Sequence, residues 1–272
     1  MFIQNLRLGI CGVGMVGGAI KETMEKLLNK ENIITYDLYK NIGKFESLLN
    51  TDILFLCLPT LYDYELKEYN KTEINNILSK LNDNNYDGVI ILKSTVEPTT
   101  TENLNMIYQK LNLIHNPEFL SAKTAQIDFE NQTHIVIGKT SITPECTLLF
   151  VKEFFELYFK NAYISIVTST ESESMKLFCN SFYAVKIQFF TELYLLCKKT
   201  NIDYNIVKNL MLKNDWINKM HTSVPGVDGL ISFGGFCLPK DISALNSFMD
   251  KYDIQHNVIE STINERNLMR KD

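Results

Sequence analysis

Short apolar runs alternate along the first 168 residues with stretches whose apolar positions recur every three or four residues. The runs fall at 6–12, 32–36, 53–58, 88–92, 111–115, 134–137 and 163–167, and Gly, Pro, Asn or Asp borders most of them. Continuous apolar runs of that length are what strands buried on both faces look like. Helical periodicity covers 15–29, 72–81, 102–110 and 145–159. Alternation of strand, helix and strand predicts an α/β fold, a Rossmann-type doubly wound parallel sheet with right-handed crossovers. The texture changes near residue 168. Residues 170–200 form one apolar-periodic stretch with no Pro or Gly, and 203–213, 241–251 and 255–270 are further predicted helices. The reading is therefore two domains, residues 1–168 and an all-helical domain at 169–272 with a glycine-rich loop inside it.

Composition narrows the class. A chain of 272 residues is longer than one core usually serves. Its 45% hydrophobic and 22% charged residues are ordinary for a globular protein. No apolar run approaches the roughly 20 residues of a membrane helix. The N-terminal MFIQNLRLGICGVG runs straight into a strand and has no signal-peptide pattern, so a cytoplasmic protein with no membrane partner is expected. A formal net charge of −5 argues against nucleic acid as a partner. Cys11, Cys57, Cys146, Cys179, Cys197 and Cys237 include no C-x-x-C pair and no zinc-spaced cluster, so no metal is expected and the thiols read as reduced.

Gly12-Val13-Gly14-Met15-Val16-Gly17 is a G-x-G-x-x-G. Alone the pattern is weak. Here it follows a predicted strand, opens a predicted helix, and Asp37 stands 20 residues after Gly17 at the end of the second strand. Gly12 would make the tight turn, Gly14 would let a pyrophosphate reach backbone N–H groups, and Gly17 would pack helix on strand. Asp37 would bind both hydroxyls of the adenosine ribose and repel a 2′-phosphate, which favours NAD over NADP.

Residues 233–241 read FGGFCLPKD. Two glycines permit close approach to Cys237, and Lys240 and Asp241 follow within a helical turn. A nearby cation favours the nucleophilic thiolate. The segment alone reads equally well as a buried cysteine in a glycine turn.

Gly12–Gly17, Ser94-Thr95-Val96, Asn116-Pro117-Glu118-Phe119-Leu120, the run from Glu173 through Lys176 to Asn180, and FGGFCLPKD occur in this order. That series resembles the UDP-glucose/GDP-mannose dehydrogenase family over nearly the whole chain. Lys186, Glu192 and Asn264-Glu265-Arg266 also resemble its central helices. The resemblance implies that a nucleotide-sugar alcohol is oxidised twice, with NAD, to a carboxylate. Cys237 would attack the aldehyde to give a thiohemiacetal and then a thioester. Lys176 and Asn180, one helical turn apart, would hold the oxyanion. Asp241 and Thr95 would position a water for proton removal, and Glu118 would serve hydrolysis. Pro59 and Thr95 would join the glycine loop around the cofactor, and Phe119, Leu120, Phe233, Gly234 and Gly235 would line the substrate. Lys240 would order the loop without taking part in chemistry. The long helices imply a homodimer.

The sequence departs from that family in four places. A third domain, which would bind the nucleotide end, usually follows the central helices, whereas this sequence ends at Asp272. Ala122 stands where the family often has a second glutamate. No arginine is evident in Asn214-Asp215-Trp216-Ile217-Asn218, where the family supplies one to the substrate. Leu61 replaces a second proline. The glycines of Val224-Pro225-Gly226-Val227-Asp228-Gly229 offer a replacement, backbone N–H groups facing a phosphate. UDP-glucose is the leading substrate. GDP-mannose or a UDP-N-acetylhexosamine, a non-catalytic NAD-binding or assembly subunit, and a one-step hydroxyacid dehydrogenase are the alternatives.

Overall fold

The computed structural model describes residues 6–272; residues 1–5, part of the segment read as lacking a signal peptide, lie outside the described residues. Two compact units emerge. One holds the chain up to Leu61 together with Tyr69–Lys176, and the other holds Tyr62–Glu68 with Leu177–Asp272.

The first unit is built on a seven-stranded sheet. Its strands are β1 (Leu8–Cys11), β2 (Ile33–Tyr36), β3 (Ile53–Leu56), β6 (Val89–Leu92), β7 (Asn112–His115), β8 (His134–Lys139) and β9 (Tyr163–Thr168), in the order β2-β1-β3-β6-β7-β8-β9. Side chains alternate along each strand and divide the core in two. Leu8, Ile10, Ile53, Phe55, Val89 and Ile91 join a cluster with Ile20 and Met24 of α1 (Met15–Met24), Phe129 of α5 (Ala125–Glu130), and Phe154 and Phe155 of α6 (Glu145–Tyr158). Cys11, Leu54, Leu56, Ile90 and Leu92 face Leu48 of α2 (Phe45–Leu48), Ile74, Ile77, Leu78 and Leu81 of α3 (Thr72–Asp83), and Leu104 of α4 (Thr100–Ile107). Helices therefore cover both faces, as double winding requires. Burying a side chain such as Phe154 or Phe155 contributes about 1.5–3 kcal/mol.

The sheet is mostly, not wholly, parallel. The first five strands run one way, but β8 meets β7 antiparallel over two residue pairs, Ile114 with Lys139 and His115 with Gly138, and β9 runs parallel to β8. The connection between β7 and β8 carries Pro117 and only the six-residue α5, and it re-enters the sheet in the opposite direction. Apolar run length carries no strand direction, so this reversal was not legible in the sequence.

Helix α7 (Ser169–Lys199) begins at a reciprocal cap. Thr168 donates its hydroxyl to Glu171 Oε2 at 2.8 Å, and Glu171 N–H donates back to Thr168 Oγ1 at 3.2 Å. The cap explains why the change of texture falls at 168. The compact units divide eight residues later, between Lys176 and Leu177, rather than at that boundary. The reason is that the first two turns of α7 carry Ser172, Glu173 and Lys176, all bonded inside the first unit. His115 Nδ1 lies 2.8 Å from Ser172 Oγ, and Thr101 donates both its N–H and its hydroxyl to Glu173 Oε1.

The second unit contains the rest of α7, α8 (Tyr204–Leu212), α9 (Leu238–Asp250) and α10 (Asn257–Met269). It also takes residues 62–68, most of a small hairpin of β4 (Tyr62–Asp63) and β5 (Glu68–Tyr69) that apolar periodicity does not announce. Tyr62 Oη and Ser247 Oγ of α9 are 2.6 Å apart. Asp203 caps α8, accepting from Asn205 and Ile206 N–H. Ala184, Phe233 and Ile242 form one core with Ile259 and Ile263, and Phe190, Cys197, Tyr204 and Val224 form another. Among the described residues no helix is long and apolar enough to cross a membrane.

Candidate active site

The glycine loop is forced by contact. Gly12 has φ +88°, and a Cβ there would lie 2.4 Å from the carbonyl oxygen of Cys57. At Gly17 a Cβ would lie 1.9 Å from the oxygen of Gly12, so only glycine lets α1 cross β1 so closely. Gly14, which precedes α1, has no heavy atom within 4 Å of where its Cβ would stand, and no side chain caps the helix. An open approach to uncapped N–H groups is what a pyrophosphate requires. Asp37 is half-buried beside it and accepts from Val13 N–H at 2.8 Å and from Lys40 N–H at 3.0 Å. Lys40 completes the ring by donating to the carbonyl of Val13 at 2.6 Å. Met15 is exposed, whereas Val16 packs on the core. These residues fit a dinucleotide. Lys40 was not singled out from sequence; its only signal is its place three residues after Asp37.

Pro59 follows β3 and is exposed. Half-buried Thr95 follows β6, and its carbonyl accepts the Thr60 hydroxyl at 2.6 Å. Burial pushes the Cys57 thiol up to about 12 and drives the Cys11 thiol upward as well.

After β7 the chain turns through Asn116-Pro117-Glu118. Buried Glu118 accepts Lys176 Nζ on Oε1 at 3.0 Å and the N–H of Leu120 on Oε2 at 2.6 Å. Lys176 also lies 5.5 Å from the ring centre of Phe119. The turn rests on a lysine that sequence reasoning missed. Lys93 ends the apolar run of β6 and donates to Asn116 Oδ1 at 2.7 Å and to the Pro117 carbonyl at 3.2 Å. Burial lowers its pKa to about 8. A lysine continuing a fully buried strand was the available signal. Next to it, burial holds His115 neutral, with a pKa near 3. Ala122, where a second glutamate was expected, lies in an exposed loop.

In the second unit α9 starts immediately after half-buried Cys237, three residues earlier than the periodicity predicted, because Pro239 suits a first helical turn. Asp241 N–H donates to the Cys237 carbonyl at 3.0 Å. The Asp241 carboxylate is fully buried. It accepts the Asn180 amide on Oδ2 at 2.6 Å and Lys240 Nζ on Oδ1 at 2.5 Å. Asn180, Lys240, Asp241 and the backbone of Cys237 thus form one constellation. Phe233 is buried, Gly235 is exposed, and Gly234 lies between them in exposure.

In the loop 224–229 both glycine N–H groups are engaged within the turn. Gly226 N–H donates to the Leu230 carbonyl, Gly229 N–H to the Gly226 carbonyl, and Leu230 N–H to Asp228 Oδ1. These three donors close the turn on itself. Trp216, in the segment lacking the expected arginine, is 89% exposed.

Comparison with known proteins agrees with this architecture. Residues 19–158 match the NAD binding domain, and residues 170–267 the central domain, of the UDP-glucose/GDP-mannose dehydrogenase family. The UDP-glucose 6-dehydrogenase of Campylobacter jejuni is 30% identical over 251 residues, covering 89% of this chain and 61% of that protein. The enzyme of the same name from Rickettsia bellii is 32% identical over 233 residues, covering 80% of this chain and 50% of that protein. The chain therefore spans between half and about three fifths of the length of these relatives. A UDP-glucose dehydrogenase structure from Pyrobaculum islandicum superposes with a TM-score of 0.84 at 20% identity, over 97% of this chain and 68% of that one.

Proposed function

The chain belongs to the UDP-glucose/GDP-mannose dehydrogenase family, and on that premise we propose that it oxidises a nucleotide sugar, UDP-glucose first among them, from alcohol to carboxylate through Cys237. The observation that carries the reading is the pairing on α7. Lys176 holds Glu118, and one turn later Asn180 holds Asp241, itself one turn beyond Cys237.

Gly12, Gly14, Gly17 and Asp37 would hold NAD, which supplies a hydride acceptor for each of the two oxidations. On the family pattern, Asp241 would take the alcohol proton through a water, the role in which Thr95 is also expected. The sulfur of Cys237, placed at the start of α9 where backbone dipoles favour negative charge, adds to the aldehyde carbon. The resulting thiohemiacetal oxygen is held by the ammonium of Lys176 and the amide of Asn180. Loss of hydride from that carbon leaves a thioester. Glu118 then orients the water that adds to the thioester carbon, and the sulfur departs as thiolate. Lys240, bonded to Asp241, holds that carboxylate in place.

The protein would work as a homodimer through the central helices. Phe178, Phe182, Phe189 and Leu196 are each more than half exposed on α7. Their spacings of four, seven and seven set them in one stripe. A continuous exposed apolar stripe marks an interaction surface.

The reading is tested by following NADH formation with UDP-glucose, GDP-mannose and UDP-N-acetylhexosamines. Reduction with at least one sugar, lost in Cys237→Ala, is expected. NAD binding without reduction on any sugar would overturn it.

A further inference from the structure

Two arginines near the end of α10 grip the segment that leads into Cys237. Arg270 donates to the carbonyls of Ser232 at 3.3 Å and Ile231 at 3.5 Å, and Arg266 donates to the carbonyl of Phe233 at 3.3 Å. Three successive carbonyls, four to six residues before the cysteine, are thus bound by two guanidinium groups one helical turn apart. The arginine side chains are only 4% and 10% exposed, for Arg270 and Arg266. Arg270 also donates to Asp228 Oδ2 at 2.8 Å, and Asp272 accepts from both arginines.

The segment is held from its other side by α7. Ser232 donates its N–H to Thr191 Oγ1 at 3.1 Å and its hydroxyl to Gln188 Oε1 at 2.5 Å. Ser232 has φ +63°, a region that a serine occupies only when its surroundings dictate it. Gly234 completes the clamp, since a Cβ there would lie 2.2 Å from Arg270 Nη2. That is a reason for the first glycine of the cysteine motif unrelated to substrate approach.

We infer that Arg270, assisted by Arg266, is a positioning residue that fixes Cys237 at the start of α9 by clamping the backbone of residues 231–233. The inference rests on the reading of Cys237 as the nucleophile, but it concerns the geometry of the thiol and is measurable without turnover. A planar fork with five donors reaches two carbonyls and the carboxylates of Asp228 and Asp272 at once, whereas an ammonium with three does not. The clamp therefore depends on the shape of the guanidinium as well as its charge.

The test measures the pH dependence of Cys237 alkylation by iodoacetamide, with modification located by peptide mass spectrometry, in wild type, Arg270→Lys, Arg270→Ala and Gly234→Ala. Near-UV circular dichroism checks that each variant is folded. Arg270→Lys keeps the charge and loses the fork, while Gly234→Ala keeps the arginine and displaces it. In both, the alkylation midpoint is expected to move up by at least about half a pH unit as the sulfur leaves the helix N-terminus. In active enzyme kcat should fall at least about tenfold with KM for NAD unchanged. Wild-type alkylation profiles in folded Arg270→Lys and Gly234→Ala would overturn the clamp. A shifted profile in a protein that oxidises no sugar would uphold the clamp and refute the proposed activity instead.

Discussion

Asn180 donates its side-chain amide to Asp241 across 2.6 Å, joining the middle of α7 to the first turn of α9 in a fully buried contact. A hydrogen bond to a buried carboxylate is worth more than a neutral one, and its loss leaves an acceptor without solvent. Asn180→Ala is expected to destabilise the protein by about 1–3 kcal/mol in chemical denaturation. In an Asn180/Asp241 double-mutant cycle the two substitutions should be non-additive. Additive effects would show that the pair is not coupled.

Glu173 predicts a pH dependence of stability. Its carboxylate takes the N–H and hydroxyl of Thr101, yet burial outweighs these bonds and raises its pKa from 4.5 to about 7. Oε2 is buried with no hydrogen-bond partner, which adds to the cost of the charged form. Because the folded value lies above the unfolded one, the folded state binds the proton more tightly. This contribution is complete below the unfolded pKa near 4.5 and is lost as pH rises through about 7. Glu173→Gln should remove it. The stability difference between wild type and variant should change by about 1–3 kcal/mol between pH 5 and 8, in the direction of wild type weakening with rising pH. His115, whose pKa falls to about 3, acts in the opposite sense below pH 6.5 and cancels in the comparison.

Asp37 predicts cofactor choice. Its carboxylate stands beside the glycine loop, bonded to Val13 and Lys40 N–H. Asp37→Ser removes the charge that repels a 2′-phosphate and leaves Lys40 to attract one. The ratio of kcat/KM for NAD to that for NADP should fall by about 10–100-fold, a change of about 1–3 kcal/mol. An unchanged ratio would place the ribose elsewhere.

The stripe on α7 predicts assembly. Sedimentation equilibrium should find a dimer for the wild-type protein and a monomer for Phe182→Glu, because a carboxylate in an apolar interface is costly to desolvate. A wild-type monomer, or a dimer unaffected by the substitution, would show that the stripe is not the interface.

Much of this was legible in the sequence, and the remainder was hidden for identifiable reasons. Apolar runs located the strands because both faces of the sheet are covered, and the change of texture near residue 168 located the start of α7, where Thr168 and Glu171 cap each other. The hairpin at Tyr62–Tyr69 escaped notice because its strands are two residues each and mostly polar. The reversal at β8 left no mark because strand direction has no local pattern. The resemblance of the ordered motifs to the family pointed to Asn180, Asp241, Lys176 and Glu118. Lys93, Lys40 and Arg270 were missed because each acts through contacts made only in the fold, 23 to 42 residues away in sequence.

The most direct measurement is the number of NADH molecules formed per sugar consumed when limiting UDP-glucose is exhausted in the presence of excess NAD. Two NADH per sugar, with UDP-glucuronate as product and none from Cys237→Ala, is the predicted result. One NADH per sugar, or full activity in Cys237→Ala, would contradict oxidation through a cysteine thioester.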